Sequence, residues 1–272
     1  LAVQAVAASV ARVGIGRRIR SLRAAKAFDA VDEITLDMAK GVAGTDLVIV
    51  ATPIGRFEQM FAAMAGHLPP GCIVTDVGST KQDVVRLAHR ILPKHVHFVG
   101  SHPMAGSEKT GVEFARADLF ANAPCVVTKT PQTHPKALAT VRQFWSALGA
   151  KVITLSPSDH DDLVGNVSHL PHALAAVLVN AAPDGKALSL AGSGFRDTTR
   201  IASGDPAMWR DIFMTNRRST IKALDGYVRE LKEFRAALDQ EDDQKVTAML
   251  TKAKRRRDAW MAKRLAQQEE SG

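Results

Sequence analysis

A chain of 272 residues exceeds the roughly 100–150 that one core usually serves, so two domains are expected, and 46% apolar with 24% charged residues is an ordinary globular composition. No apolar run reaches the about 18–20 residues of a membrane-spanning helix and no secretory leader is read at the amino end, so a soluble, cytoplasmic protein with no membrane partner is the expectation. The formal charge of +8 suits anionic small molecules better than nucleic acid, because the densest basic run, Lys252 to Arg257, interleaves with Met249, Leu250 and Trp260 at helical spacing and reads as the solvated face of a terminal helix.

In chain order, residues 10–155 alternate short β-rich apolar runs with helical stretches, the pattern of a parallel sheet covered by helices. Strands are expected at 11–15, 47–51, 73–76, 97–99, 124–128 and 152–154, and helices at 57–66, 80–91 and 135–148, each helix bounded by Gly or Pro. Cys72 and Cys125 fall within apolar runs and read as core thiols, not as a disulfide or metal pair. After Ser156 apolar residues recur every three and four positions through 159–180, 206–238 and 242–266, which is helical. The expected fold is therefore α/β: a Rossmann-like, doubly wound parallel sheet over residues 1–155, then an all-helical domain over 156–272, with ligand in the crevice between them.

A dinucleotide-binding domain opens with a strand, a G-x-G-x-x-G loop and a helix whose amino end holds the pyrophosphate. Gly14-Ile15-Gly16 is the nearest match, but Ile19 stands at the third glycine position and Arg17, Arg18 and Arg20 crowd the loop. Residues 1–8 instead read as the tail of the first helix and 11–16 as the second strand, so the domain is expected to be incomplete at its amino end and to bind cofactor poorly. In that register Gly16 occupies the place of the acidic residue that would bind ribose hydroxyls and repel a 2′-phosphate. With Arg17 and Arg18 beside it, whose planar donor forks suit phosphate, the cofactor expected is NADP or NAD, with NADP favoured.

Candidate chemistry clusters where expected strands end. Ala51-Thr52-Pro53 follows one, Asp76-Val77-Gly78-Ser79-Thr80-Lys81 closes another, and Ser101-His102-Pro103-Met104-Ala105-Gly106-Ser107-Glu108 follows a third. Later come Val167-Ser168-His169-Leu170-Pro171-His172, a stretch from Gly194 to Ala202 containing Arg196-Asp197-Thr198-Thr199-Arg200, and Asp205-Pro206-Ala207-Met208-Trp209-Arg210-Asp211. His169 and His172 share a helix face, but no third ligand pattern accompanies them, so no metal is expected.

These motifs, in this order, resemble the prephenate and arogenate dehydrogenases of tyrosine biosynthesis. The resemblance implies oxidative decarboxylation of prephenate or arogenate with hydride transfer to NAD(P), and a homodimer built through the helical domain. It makes His102 the base for the substrate's ring hydroxyl and Ser79 the serine near both nicotinamide and ring, a residue that also reads as the N-cap of the helix at 80–91. Arg200 becomes the grip on a substrate carboxylate, with a surface ion pair to Asp197 or Asp205 as its alternative. The resemblance also has His172 lining the pocket near the substrate side chain, His169 supporting it, Ser107 and Glu108 shaping the pocket, and Trp209 forming an apolar wall, with a buried core tryptophan as its alternative. Gly16, Arg17, Arg18, Thr52, Pro53, Gly78 and Ser79 face the cofactor. Two competitors stand beside this: another dehydrogenase with a helical second domain, which would be expected to show a catalytic-lysine motif, and a binding module that has lost its cofactor.

Overall fold

The structure, a computed structural model, describes residues 2–3, 10–106, 111–183 and 185–269. The reading of 1–8 as a helix tail lies mostly outside them. Strand β1 (Val13–Ile15) pairs in parallel with β2 (Glu33–Thr35), so Gly14 lies within a strand and not in a phosphate loop. Strands β3 (Leu47–Val50), β4 (Ile73–Asp76) and β5 (His97–Val99) form a parallel set in that order. A third set joins β6 (Ser101–Pro103), β7 (Pro124–Thr128) and β8 (Lys151–Leu155), with β7 and β8 parallel.

The sheet departs from the expected parallel pattern at β6, which runs antiparallel to β7. Its cause is one residue. Beyond β5 the chain passes Gly100, whose carbonyl accepts both the Thr128 amide at 2.8 Å and the Thr128 hydroxyl at 3.1 Å. A Cβ there would fall 2.7 Å from Thr128 Oγ1 and 3.2 Å from Lys81 Cδ, so only glycine lets the chain change neighbours at this point. His102 consequently sits on a strand, opposite Val126, instead of in a loop.

Helices α1 (Ile19–Ala27), α2 (Met38–Val42), α3 (Phe57–Ala65), α4 (Gln82–Ile91) and α5 (Pro135–Ala147) connect these strands. Phe57, Phe61 and Phe98 meet edge to face at 5.7 and 5.6 Å beneath α3 and α4, and each fully buried ring contributes roughly 1.5–3 kcal/mol by leaving water. A second cluster gathers Val99, Cys125, Val127, Val141 and Trp145 under α5. Both cysteines are free and buried, and burial pushes the Cys125 thiol up to about 12, so neither is poised to react.

Beyond β8 the described residues are helical. Ser156 caps α6 (Pro157–Val164) by accepting the Asp159 amide at 3.0 Å, with Pro157 at the first helical position. A wide π-turn, Gly165–His169, leads into α7 (Leu170–Ala181), so the periodic run expected over 159–180 is interrupted where Gly165 packs on Ser219. Short helices α8 (Lys186–Ser189) and α9 (Ser193–Thr199) lead to a tight turn at Arg200–Ser203. Asp205 then caps α10 (Pro206–Thr215), and α11 (Arg217–Asp239) and α12 (Asp243–Glu269) follow. The chain divides into two compact units, Leu1–Ser219 and Thr220–Gly272. Among the described residues no helix is long and apolar enough to cross a membrane.

Candidate active site

His102 reaches from β6 to α6, where its Nδ1 lies 2.8 Å from His160 Nε2. His160 Nδ1 in turn lies 2.7 Å from Asp161 Oδ1, and both His160 and Asp161 are fully buried. The same carboxylate accepts the Lys81 amide at 2.7 Å and the Gln82 amide at 2.8 Å. It therefore caps the amino end of α4 from another element, where a negative charge is favoured and two amides would otherwise lack partners.

An ionised carboxylate only accepts hydrogen bonds, so His160 carries its proton on Nδ1 and turns a lone pair toward His102. His102 then donates from Nδ1, which leaves its Nε2 as the unprotonated ring nitrogen. Burial, with His160, Lys81 and His169 as positively charged or polar neighbours, holds the His102 imidazole well below its ordinary pKa. The ring is thus neutral at physiological pH and competent to accept a proton.

Beneath His102 lies a second network. Asp76, at the end of β4, and Lys81 form an ion pair with no exposed surface on either side chain. Asp76 also accepts the Gly78 amide at 2.8 Å and the Ser101 amide at 3.0 Å. Thr75 donates to the Val99 carbonyl at 2.7 Å and shares a hydrogen bond with Ser101 Oγ at 2.8 Å. Ser79 is half-buried, and among the described residues its hydroxyl bonds no protein group. It does not cap α4 as its position suggested: the helix begins at Gln82 with Lys81 as its N-cap, and Asp161 supplies the acceptor.

On the helical side His172 stacks on Trp209 with ring centroids 3.5 Å apart and planes 11° apart. Gly204 fits against both rings, since a Cβ there would lie 2.5 Å from Trp209 Nε1 and 3.1 Å from His172 Cε1. His172 Nδ1 is buried and has no partner among the described residues, and burial lowers that ring's pKa. His169 is buried as well, but partnered: its Nδ1 lies 3.0 Å from Asn216 Nδ2, which also donates to the Asp161 carbonyl at 2.8 Å, and burial lowers its pKa to about 4. Among the described residues no group of three His, Cys, Asp or Glu could hold a metal.

Arg200 is exposed on its turn and forms no ion pair among the described residues; Asp197 pairs with Arg196, and Asp205 is engaged as a helix cap. Ser107 and Glu108 lie outside the described residues. Gly16, Arg17 and Arg18 link β1 to the amino end of α1, which has no acidic residue in its first turn and no side-chain cap. Free helix amides beside two guanidinium groups make an anion-binding surface. Thr52 follows β3 with its Oγ1 buried and unpartnered among the described residues, and Pro53 is exposed beside it. Gly78 is enclosed by Asp76 and Ile54. A hydroxyl unpartnered among the described residues after β3, and a cationic helix end after β1, each beyond the carboxyl end of a parallel strand, fit a nucleotide.

Sequence reasoning passed over His160, Asp161, Asn216, Asp76 and Lys81 as functional groups. His160-Asp161 lies at the start of the helical run expected from 159, and nothing in its spacing announces a partner 58 residues earlier. Asp76 and Lys81 were within a recognised motif, yet an i, i+5 pair has no helical or strand period to make it conspicuous.

Parallel α/β strand sets, followed by an antiparallel strand that carries an oriented imidazole and then by a helical segment, define a two-part, nucleotide-binding dehydrogenase. Residues 2–154 match the family model described as prephenate dehydrogenase, nucleotide-binding domain, and residues 156–252 match that of the prephenate dehydrogenase dimerization domain. The chain belongs to the prephenate dehydrogenase family. It is 36% identical over 252 residues to prephenate dehydrogenase of Bacillus subtilis (strain 168), an alignment covering 90% of this chain and 68% of that protein. The crystal structure of prephenate dehydrogenase from A. aeolicus, in complex with hydroxyphenyl propionate and NAD+, superposes with a TM-score of 0.89 at 32% identity, covering 95% of this chain and 92% of the other. That of Synechocystis arogenate dehydrogenase gives 0.81 at 31% identity, covering 91% and 90%.

Proposed function

We propose that this chain catalyses the oxidative decarboxylation of prephenate to 4-hydroxyphenylpyruvate, or of arogenate to tyrosine, with hydride transfer to NAD(P). The observation that carries the reading is the run of hydrogen bonds from Asp161 through His160 to His102, which engages His102 Nδ1 and leaves Nε2 as its unprotonated ring nitrogen. When bound, the nicotinamide supplies the hydride acceptor. His102 Nε2 takes the proton of the ring hydroxyl as the C4–H electron pair departs. Asp161, acting through His160, stabilises the imidazolium that results. Cleavage of the bond to the ring carboxylate then releases CO2, its electron pair completes the aromatic ring, and His102 returns the proton to the ring oxygen.

Ser79, whose hydroxyl has no protein partner among the described residues, bonds the same ring oxygen. Arg200, free of ion pairs among those residues, receives a substrate carboxylate, and the buried Nδ1 of His172 meets the side chain that distinguishes prephenate from arogenate. Trp209 holds His172 flat, His169 braces Asn216, and Ser107 and Glu108 complete the pocket. Gly16, Arg17, Arg18, Thr52, Pro53 and Gly78 take the cofactor, with the two arginines favouring NADP.

We assign nucleotide binding to residues 1–155 and substrate binding and homodimer formation to 156–272. Exposed Tyr227, Leu231, Leu238, Leu250 and Trp260 on the last two helices supply apolar surface for a dimer, and two free thiols suit the cytoplasm. Assaying prephenate and arogenate, each with NAD and NADP, tests the whole reading: absence of turnover in all four combinations would sink it.

A further inference from the structure

We propose that Lys81, through its buried pair with Asp76, is a positioning residue that sets the spacing between Ser79 and His102; this rests on the catalytic roles assigned to those two above. Burying an ion pair completely is often no better for stability than packing apolar groups of the same volume. Lys81 is also the N-cap of α4, where the partial positive charge of the helix end opposes a cation. Stability alone therefore gives a poor account of a fully buried ammonium at this position.

Position gives a better one. Asp76 holds the amides of Gly78 and Ser101, each the residue immediately before an assigned catalytic side chain, Ser79 and His102. Lys81 Nζ fixes that carboxylate in place. At its other end, Lys81 donates its own amide to Asp161, which orients His160 and through it His102. The bonds close into a ring: Asp76, Lys81, Asp161, His160, His102, and back through the Ser101 amide to Asp76. A lysine side chain spans the ring, and its stem packs where Gly100 leaves room. Two side chains assigned to catalysis, one beyond β4 and one on β6, are thereby referred to one carboxylate, which has no exposed surface to let it wander.

The test uses the double variant Asp76→Asn with Lys81→Met, which removes both charges at nearly constant volume, and Asp76→Glu, which keeps the pair but moves the carboxylate by one methylene. Circular dichroism and thermal melting identify the folded variants, and kcat and KM are measured for substrate and cofactor. Misplacement of reacting groups by about 1 Å costs about 10²-fold in rate, so kcat should fall about 10–100-fold in either folded variant while both KM values stay within about threefold. A merely structural pair predicts a lower melting temperature with unchanged kcat in the folded fraction, and that outcome overturns the proposal. His102→Asn serves as the control: if it abolishes turnover while the pair variants keep theirs, positioning by Lys81 is wrong and the catalytic reading stands. If His102→Asn turns over normally, the catalytic reading fails and this proposal falls with it. The wild-type protein gives a check that needs no variant. Amide hydrogen exchange should protect Gly78 and Ser101 equally as one unit, and exchange of either at the rate of an exposed loop amide overturns the inference.

Discussion

Replacing Asp161 with Asn changes one atom and should disable both the helix start and the base. The carboxylate receives three donors: Oδ1 takes His160 Nδ1 and the Lys81 amide, and Oδ2 takes the Gln82 amide. An asparagine must aim its NH2 group at one of these two sets. If it faces Gln82, the cap of α4 is lost. If it faces His160, that ring must move its proton to Nε2, His102 must accept there instead of donating, and the outward nitrogen of His102 becomes protonated and useless as a base. Hydrogen bonds to a charged group are worth about 1.5–3 kcal/mol each, and a carboxylate at a helix amino end adds up to about 2 kcal/mol in a buried setting, so a loss of about 3 kcal/mol in stability is expected. Turnover should fall by roughly 10²–10⁴-fold, the range general-base catalysis supplies. Urea unfolding gives the first quantity and steady-state kinetics in the folded protein the second. A variant with kcat within a factor of about two of the parent would refute the relay, whatever its stability.

Three further outcomes follow from the same geometry. Burial holds His169 at about 4 against 6.5 for a free ring, so only the unfolded chain takes up this proton between those values. Its contribution is complete above pH about 6.5 and is lost as pH falls toward about 4, by about 3 kcal/mol in all; urea titrations at pH 7.5 and 4.5 should show a smaller drop in His169→Asn than in the parent, and equal drops would refute it. Changing Arg17 and Arg18 together to Ala should raise KM for NADP by about tenfold and leave that for NAD nearly unchanged, and a parallel loss of both cofactors would remove the 2′-phosphate from the argument. Gly100→Ala places a Cβ 2.7 Å from Thr128 Oγ1 and should cost about 1–3 kcal/mol by overpacking, visible as a lower melting temperature.

The sheet was legible where apolar runs were long enough to carry a period: the strands at 73–76, 97–99 and 124–128 coincide with β4, β5 and β7. Glu33–Thr35 was missed because three residues cannot display alternation, and Ser101–Pro103 because a polar, proline-bearing triplet becomes a strand only by inheriting its direction from β5. Helical periodicity located the second half but not its breaks. Those at Gly165 and Asn216 are made by tertiary partners, Ser219 for one and Asp161 with His169 for the other, which no local pattern encodes. At the site, residues within short motifs could be named from sequence. Their supports could not: His160 and Asp161 matter only because folding brings them 58 and 80 positions back along the chain, to His102 and Lys81.

That His102 on β6 is hydrogen-bonded to a His160–Asp161 dyad on α6 has a consequence for how such a chain can diverge. The sheet alone carries a histidine with no assigned tautomer, and the helical segment alone carries a dyad with nothing to polarise. Any exchange of the carboxyl-terminal segment between relatives would thus import a new pocket together with a new setting of proton affinity. On the roles proposed above, substrate preference and base strength would pass together.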